Sequence, residues 1–527
     1  MTVLFDILIR GGLLIDGTGA PAVPGDLAIQ DGVIAARGNL TGAHAARTIE
    51  AAGFCVTPGF LDIHRHADAA LLHPEFGECE LRQGLTTIVN GNCGMSPFPC
   101  TGENASAIRA YLQPVTGLFP HAYETFADYA ASLPALPLHV GQLVGGGTLR
   151  ASVAGFVPDL TDEQLHAISA RLESALAEGV LGVSLGLGYA PECFYSTEQL
   201  IRVLAPLRGS GIPLTVHMRQ EGSGVVAALE EMLSVARALQ TPLEISHLKA
   251  IGKANWRSAV PQMLQMLHQA REEGLDVACD VYPYTAGSTQ LIHILPPECQ
   301  TGGLTQLSAR LLDPAFRAHL KERMQTGADF ENISLLAGWE NIRVTALAGE
   351  ADQAYLGKSI AEIADLEHKD PFDAVFDLLA REHCAVTMID EIACEEDLNA
   401  ILQDSLSCVI SDSIYPDSGL CHPRLYGTFV RVIERFVRER GMLPLEQAIA
   451  KMTGLPAAHL HLKTKGKLIP GLDADILLFR PEALHESGTY AAPAQPAVGM
   501  DTVLVSGIPV LEHGVRTGAA PGKLLKR

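Results

Sequence analysis

The middle of the chain alternates short apolar runs with longer amphipathic segments. In the clearest amphipathic segment, Thr161 and Gln164 form a capping box, apolar residues follow at helical spacing, and Gly179 ends the run. Eight apolar runs are typical of buried strands, and they begin near Gly59, Leu85, Leu138, Val180, Ile212, Leu243, Leu275 and Ser407. The repeated alternation of strand and helix predicts an α/β fold in which a parallel sheet closes into a TIM-like (β/α)8 barrel.

The two ends of the chain share another pattern, in which short apolar strands are separated by glycine turns. It occurs in DILIRGGLLIDG and DLAIQDGVIAARG near the start and in ADILLF and TVLVSGIPVLEHG near the end. The shared pattern predicts one small β-sandwich domain formed by residues 1–57 and 465–527, next to a barrel of residues 58–464. The connection after the seventh strand, about 285–405, is too long for one crossover helix. It predicts an inserted lobe over the barrel mouth.

The charge balance removes several classes of partner. The 527 residues include 60 acidic and 38 basic side chains, so the net charge is −22. Such a chain repels phosphate backbones and anionic membranes, and we expect no nucleic-acid or membrane partner. Eleven cysteines without a CxxC pair, and a start that lacks the features of a secretory signal, predict a reducing, cytoplasmic location. The sequence leaves the oligomeric state open.

Six side chains of metal-binding types stand at the ends of five predicted strands, and they are His64, His66, Cys93, His217, His247 and Asp412. Barrel strands converge on one mouth, so these residues are expected to meet there despite their separation in sequence. Any one of them alone is more often a structural residue, and the recurrence at strand ends is what favours a metal site. Imidazole, thiolate and carboxylate together suit Zn²⁺. A second His-x-His pair, His459 and His461, follows the eighth strand without such partners and is interpreted as structural.

Longer motifs add a family resemblance. They are TPGFLDIHRHAD, NGNCG, VLGVSLGLGYAP, VHMR, ISHLKAIGKANW, DVYPYTAGST, HPRLYGTF and GLDADILLF, and they span nearly the whole chain. Through them the sequence resembles the amidohydrolase superfamily, and within it the N-acyl-D-amino-acid deacylases, or D-aminoacylases. His-x-His alone is a weak signal, whereas SHLK, YPYTAGST and HPRLYGTF are rather specific to this branch.

The resemblance implies a binuclear type of site with one tightly held zinc ion. Carried onto this sequence, Cys93, His217 and His247 would hold that ion. The other members of the set would line a weaker second position, and these are His64, His66 and Asp412. Many amidohydrolases bridge two metals with a carboxylated lysine after the fourth strand, yet VSLGLGY contains no lysine. Cys93 takes that place in the deacylase branch, which makes a hydantoinase or a dihydroorotase less favoured.

The chemistry that the resemblance implies is hydrolysis by a zinc-activated water. Asp412 would accept the proton of that water and deliver it to the departing amine. Simple metal ligation by Asp412, without proton transfer, is the alternative. For the α-carboxylate of an N-acyl amino acid, the resemblance offers Lys249, Tyr282, Ser288 and Arg424. The expected reaction is zinc-dependent hydrolysis of N-acyl-D-amino acids, and the D configuration rests on the resemblance alone.

Two alternatives stay open. The same barrel could hydrolyse a cyclic amide or a dipeptide-like substrate, or it could be a non-catalytic scaffold, although scaffolds of that kind usually lose their ligands. Three departures from the family pattern leave the exact substrate open. Gly146 stands where many relatives carry histidine, Ser413 follows the aspartate where glycine is common, and Glu298 replaces a common aromatic residue. All three are expected in or near loops that face the substrate.

Overall fold

A computed structural model describes residues 4–327 and 329–527 of the protein. Within these residues there are twenty strands in three sheets, and they are β1 (Leu4–Leu14), β2 (Val23–Gln30), β3 (Val33–Gly38), β4 (His44–Glu50), β5 (Cys55–Pro58), β6 (Phe60–Asp62), β7 (Leu85–Asn90), β8 (His139–Gly145), β9 (Gly182–Gly186), β10 (Leu214–His217), β11 (Leu243–Ile245), β12 (Val277–Val281), β13 (Ala286–Gln290), β14 (Ile342–Leu347), β15 (Val386–Glu391), β16 (Ser407–Val409), β17 (Ile476–Phe479), β18 (Met500–Val505), β19 (Ile508–Glu512) and β20 (Val515–Arg516).

The same described residues form seventeen α-helices, and they are α1 (Glu78–Arg82), α2 (Ala105–Thr116), α3 (Phe126–Ser132), α4 (Gly146–Ala154), α5 (Asp162–Glu178), α6 (Thr197–Val203), α7 (Val225–Leu239), α8 (Ala259–Glu272), α9 (Leu304–Arg310), α10 (Pro314–Thr326), α11 (Ile333–Ala337), α12 (Ile360–Glu367), α13 (Pro371–Arg381), α14 (Glu395–Gln403), α15 (Arg424–Arg431), α16 (Leu445–Met452) and α17 (Gly454–His459). The predicted capping box of α5 is present, with Thr161 and Gln164 bonded reciprocally and Gly179 in the left-handed conformation after the helix. In 4–327 and 329–527, no helix combines the length and the apolar character that crossing a bilayer requires.

The barrel sheet contains eight parallel strands in the order β6, β7, β8, β9, β10, β11, β12 and β16. Every residue of these strands is buried, as expected for a sheet covered on both faces. Just beyond β6 and β16, two backbone hydrogen bonds of 2.9 Å close the ring: His66 N donates to Ser413 O, and Asp412 N donates to His64 O. The predicted (β/α)8 barrel is confirmed.

The inserted lobe lies between β12 and β16, where the long connection after the seventh strand predicted it. Its sheet is antiparallel and has the order β13, β15, β14. The helices α9 to α13 belong to the same connection, and α14 then returns to pack against β12 and β16 as an ordinary barrel helix. The lobe therefore rises from the carboxyl end of β12, on the side where the barrel mouth opens.

The two chain ends share a nine-stranded sheet. In it, β5 lies between β1 and β17, so strands from the first and the last parts of the chain pair directly. Gly59 leads from β5 into β6, and a Cβ atom at Gly59 would lie 2.0 Å from Thr86 Oγ1, so no larger residue fits there. This agrees with the predicted fold class, whereas the bounds of the two units, 1–57 with 465–527 and 58–464, stay a prediction.

A buried charged group connects the end sheet to the barrel. Asp475 lies directly before β17, and its Oδ2 is 2.6 Å from Nζ of Lys465. Its Oδ1 is 3.2 Å from Nε2 of His139, the first residue of β8. Both partners are buried, so the carboxylate is shared between the two parts of the fold.

Candidate metal centre

Cys93, His217 and His247 meet at the carboxyl ends of three barrel strands. Cys93 lies three residues beyond β7, His217 is the last residue of β10, and His247 lies two residues beyond β11. Sγ of Cys93 is 3.6 Å from Nε2 of His247, and that nitrogen is 3.0 Å from Nδ1 of His217. All three side chains are buried. The structure therefore brings together the trio that was predicted to hold the tighter ion.

His64, His66 and Asp412 form a second set, which shares Cys93 with the first. Nε2 of His64 is 3.2 Å from Sγ of Cys93. Oδ1 of Asp412 is 3.3 Å from Nε2 of each histidine. Within each set, the ligand-type atoms lie within 4.8 Å of one another. All six predicted ligands converge, and Cys93 stands between the two positions.

The backbone is specialised where three of these residues stand. The angle φ is +51° at Cys93, +36° at His247 and +50° at Asp412, which is the left-handed region. Such a conformation costs a residue with a side chain roughly 1–3 kcal/mol, and it is concentrated at functional sites. The Cys93 loop also requires Gly186 at the end of β9, because a Cβ atom there would lie 2.2 Å from Cys93 O. The tight turns after the strands aim the ligands at one point.

The charges around Cys93 favour its metal-binding form. Burial by itself raises the pKa of the Cys93 thiol, but His64 first, and then His217 and His247, hold that pKa well below its usual value. The thiolate is the form that ligates metals. One buried thiolate, four imidazoles and one carboxylate match the donor preference of zinc. The residues present therefore fit a zinc ion.

Asp412 is held in its ionised form by a buried arginine. Nη1 of Arg424 is 3.0 Å from Oδ2 of Asp412, and Arg424 is only 1% exposed. Burial raises the pKa of the Asp412 carboxyl, but Arg424, His64 and His66 together lower it well below its usual range. Oδ2 is thus paired with the guanidinium, while Oδ1 faces the two histidines.

Two buried carboxylates that the sequence analysis missed support the histidines. Oε1 of Glu221 is 2.9 Å from Nδ1 of His247, and Oδ1 of Asp280 accepts a hydrogen bond from His247 N. Oδ2 of Asp280 is 3.8 Å from Nδ1 of His64. Carboxylates behind metal-binding imidazoles fix the orientation of the rings. The available signals were weak: Glu221 follows His217 by four residues, and Asp280 is one polar position in the apolar seventh strand.

The four predicted substrate-binding residues lie beside the cluster. Nζ of Lys249 is 2.7 Å from Oε2 of Glu221. The guanidinium carbon of Arg424 is 4.8 Å from the centroid of the Tyr282 ring, and Nη2 of Arg424 donates to Ser288 O at 3.0 Å. The hydroxyl of Ser288 donates to a backbone carbonyl of the lobe sheet. The geometry brings all four together, with both cations already paired to carboxylates.

A cavity of about 50 Å³ lies in front of the ligands. Lys249, Tyr282, Ser288 and Asp412 contribute to its wall, whereas Arg424 stands behind Asp412 and Tyr282. The inserted lobe supplies further wall residues, and they include Thr289, His293, Leu295, Phe330, Glu331 and Ile333. The lobe therefore helps to shape the binding site, as its predicted position over the mouth implied.

The three departures from the family pattern differ in their surroundings. A Cβ atom at Gly146 would lie 2.3 Å from Oε1 of Glu192, so Glu192 fills the space of the missing side chain. Burial raises the pKa of Glu192 to about 8. Ser413 offers its backbone carbonyl to His66. Glu298 turns its half-exposed side chain to Arg323, at 2.9 Å, so its carboxylate is engaged away from the metal ligands.

The second His-x-His pair is engaged by carboxylates elsewhere in the barrel. Nδ1 of His459 is 3.1 Å from Oε2 of Glu244, and Nε2 of His461 is 3.1 Å from Oδ2 of Asp276. Glu244 and His459 also lie with Cys408 in a third group of ligand-type atoms within 4.8 Å. Ion pairing accounts for both imidazoles, in keeping with a structural role.

Fold and site together define a class of protein. A barrel whose mouth gathers imidazoles, a thiolate and a carboxylate around one point is the architecture of a metal-dependent hydrolase. The family model described as "Amidohydrolase family" matches residues 47–510. The chain belongs to the amidohydrolase family.

Individual relatives show which members of the family this chain is similar to. D-aminoacylase of Alcaligenes xylosoxydans xylosoxydans is 35% identical over 99% of this chain and 98% of that protein. N-acyl-D-aspartate deacylase of the same organism is 35% identical over 99% of this chain and 95% of its own length. Among solved structures, N-acyl-D-glutamate deacylase from Bordetella bronchiseptica, complexed with zinc and a phosphonate inhibitor that mimics the tetrahedral intermediate, has a TM-score of 0.83. It is 31% identical, and the alignment covers 100% of both chains.

Proposed function

We propose that this protein is a zinc-dependent deacylase, which hydrolyses the amide bond of N-acyl-D-amino acids and releases a carboxylate and a free D-amino acid. The observation that carries the proposal is the convergence of Cys93, His217 and His247 at the barrel mouth, with Cys93 shared by a second set that contains Asp412. Full-length relatives that are named as D-amino-acid deacylases support the substrate class and its configuration.

In this proposal, Cys93, His217 and His247 hold the tightly bound zinc. The residues that line a weaker second position are His64, His66 and Asp412. Zinc held by Cys93, His217 and His247 would act as a Lewis acid that polarises the amide carbonyl and lowers the pKa of the attacking water from about 15.7 towards 7. Glu221 contacts the ring of His247 and Asp280 contacts the ring of His64, and these carboxylates fix the orientation of the two imidazoles.

Asp412 moves the proton. Its Oδ1 accepts a proton from the attacking water, and the same proton is delivered to the amide nitrogen as the C–N bond breaks. Arg424 keeps the carboxylate ionised and fixes its orientation through Oδ2. A positioned acid/base of this kind contributes about 10² to 10⁴ in rate.

The α-carboxylate of the substrate is bound on the side of Lys249, Tyr282 and Ser288, which share the cavity wall with Asp412. Lys249 is charged, because Glu221 raises the pKa of its ammonium group against the effect of burial. Arg424 reinforces this side from behind Tyr282. Charge-assisted hydrogen bonds from such groups to a carboxylate are directional, and this favours one orientation of the substrate.

Metal analysis combined with a substrate panel tests the function. The purified protein is expected to contain zinc and to hydrolyse N-acetyl-D-amino acids faster than the L enantiomers, hydantoins or dipeptides. Preferred turnover of hydantoins or dipeptides would establish the cyclic-amide or dipeptide-like alternative instead. A zinc-loaded protein that hydrolyses none of these amides would revive the non-catalytic scaffold.

A cytoplasmic location is proposed as well. All eleven cysteines are free, and most of them are buried. Unpaired thiols of this kind are the normal state in a reducing compartment. Detection of the protein in the soluble cytoplasmic fraction, rather than in a periplasmic or secreted fraction, is the matching test.

A further inference from the structure

His293 is a buried polar side chain of the cavity wall that has no partner. It lies on the inserted lobe and is 7% exposed. Both ring nitrogens, Nδ1 and Nε2, lack a hydrogen-bond partner. Leaving a buried donor and a buried acceptor unsatisfied is unfavourable, and in native proteins it usually has a functional reason.

The ring of His293 is fixed beside the cluster of proposed metal ligands. It stacks on Tyr189, with centroids 4.0 Å apart and an interplanar angle of 29°. The Tyr189 ring lies against His217 in turn, at 4.3 Å between centroids. This stack connects a proposed metal ligand to the lobe, so His293 is held in place by aromatic packing and not by its own hydrogen bonds.

The imidazole is neutral in this environment. Burial is the main cause that lowers the pKa of His293 to about 3. One nitrogen is then a donor and the other an acceptor. A neutral ring of this type suits an amide or a carbonyl group, whereas the carboxylate of a substrate is served better by Lys249 and Arg424.

The wall beside His293 continues into a second, smaller cavity. This cavity of about 10 Å³ is lined by Cys93, Tyr111, Tyr189 and Phe156, among others. The edge of the Tyr111 ring faces His293, with centroids 6.4 Å apart. The volume of this smaller cavity is about that of one water molecule. The acyl end of a substrate is therefore expected in the larger cavity, where both ring nitrogens of His293 lack a partner.

We propose that His293 is a substrate-binding residue that hydrogen bonds the acyl-amide end of the substrate and thereby contributes to the selection of N-acylated over free amino acids. The inference rests on the proposed deacylase function and adds the recognition of the acyl side to it. The lobe then supplies His293 for the acyl end and Ser288 for the α-carboxylate, while the barrel supplies the metal ligands, Lys249 and Tyr282.

The test uses His293→Phe, which keeps the stacking on Tyr189 and removes both nitrogens. Binding is measured by calorimetry in an Asp412→Asn background, where an N-acetyl-D-amino acid is not expected to be cleaved. We expect about tenfold weaker binding of the N-acetyl-D-amino acid and an unchanged dissociation constant for the corresponding free D-amino acid. In the active enzyme, the same change should lower kcat/KM about tenfold at unchanged zinc content.

Two kinds of variant complete the design. His293→Asn and His293→Gln place an amide near Nδ1 and Nε2 respectively, and one of them is expected to recover a substantial part of the binding. His121→Phe is the matched control, because His121 is an exposed histidine whose ring also packs against a tyrosine, Tyr123, with centroids 4.6 Å apart. It should behave like the wild type.

The outcomes separate the inference from the function on which it rests. If the wild type hydrolyses N-acetyl-D-amino acids and His293→Phe binds and cleaves them equally well, His293 is no substrate contact and the inference is overturned. If the variant loses affinity for the free D-amino acid to the same extent, the contact is not at the acyl end, which also overturns it. If no N-acyl-D-amino acid is bound or cleaved by the wild type, the proposed function fails, and the inference fails with it.

Discussion

Asp412 and Glu221 show how charge pairing at single residues prepares the site. Asp412 faces the cavity with one oxygen and binds Arg424 with the other. Glu221 lies between Lys249 and His247. Burial raises the pKa of Glu221, but Lys249, followed by the neighbouring histidines, lowers it well below its usual range. Both carboxylates are therefore ionised although they are buried, because each has a cation within contact distance.

At the residue scale, Asp412→Asn separates proton transfer from metal binding. The substitution keeps the size of the side chain and removes the proton acceptor. We expect kcat to fall by about 10²- to 10⁴-fold. The zinc held by Cys93, His217 and His247 should stay at the wild-type content. Turnover of an N-acetyl-D-amino acid and zinc per chain, measured on one preparation, check this. An unchanged kcat would mean that Asp412 transfers no proton and at most ligates the metal.

Glu221→Gln tests the support of the histidines. The amide is a poor acceptor for the imidazole of His247 and leaves Lys249 without its counter-charge. We expect zinc affinity to fall by about 10- to 100-fold, as measured by competition with a chelator. Glu298→Gln is the matched control, since Glu298 pairs with Arg323 and is half-exposed. Equal zinc affinity in both variants would contradict the supporting role.

At the scale of elements, the end sheet and the barrel are joined by Asp475. Burial raises the pKa of its carboxyl, but Lys465 and His139 hold that pKa below its usual range. Because the pKa is lower in the folded state, the ionised carboxylate contributes stability above the unfolded value of about 3.9. That contribution is lost as the pH falls from about 5 towards the lower folded pKa.

Asp475→Asn is therefore expected to be more harmful at neutral than at acid pH. At pH 7 the free energy of unfolding should fall by about 2 kcal/mol, the contribution of a charge-assisted hydrogen bond in a buried site. At pH 3 the difference from the wild type should be smaller. Asp473→Asn is the control, because Asp473 binds the same lysine at 2.9 Å with a 31% exposed side chain. Denaturant unfolding at both pH values gives the comparison, and a pH-independent difference would contradict the linkage.

At the scale of the whole molecule, the proposed zinc ion connects strands that are far apart in the sequence. Its ligands follow β7, β10 and β11, and the second set adds the ends of β6 and β16. An ion that binds the folded but not the unfolded chain stabilises the fold by mass action. An ion at this position would thereby hold the mouth of the barrel together and also support catalysis.

Removal of the metal should thus affect stability and activity together. Treatment with a chelator is expected to abolish hydrolysis and to lower the melting temperature, and added zinc should restore both. The stabilisation is about 2.7 kcal/mol when free zinc is 100 times its dissociation constant. In Cys93→Ser, the melting temperature should respond much less to zinc. A wild-type melting temperature that does not respond to chelation would argue against an ion at this position.

The sequence was sufficient to predict the barrel, because each barrel strand has its own local pattern of apolar residues. Runs of apolar residues recur at the eight predicted positions, and side chains of metal-binding types stand where five of these runs end. Parallel strands in a barrel direct their carboxyl ends to one side, so the convergence of Cys93, His217 and Asp412 could be predicted without coordinates. The substrate-binding residues were a different case, because Lys249 and Arg424 were chosen by resemblance.

The sequence by itself thus determined the order of the strands, the metal-binding residue types at the ends of five of them and the lobe after the seventh strand. Only the tertiary structure decided that Arg424 pairs with Asp412, that Glu221 and Asp280 lie behind the histidines, and that His293 of the lobe faces the cavity. The physical reason is that hydrophobic periodicity reports the burial of a residue on its own element. Which buried polar groups meet depends on closure of the barrel and on the packing of the lobe, and those contacts join residues that have no local relation in the sequence.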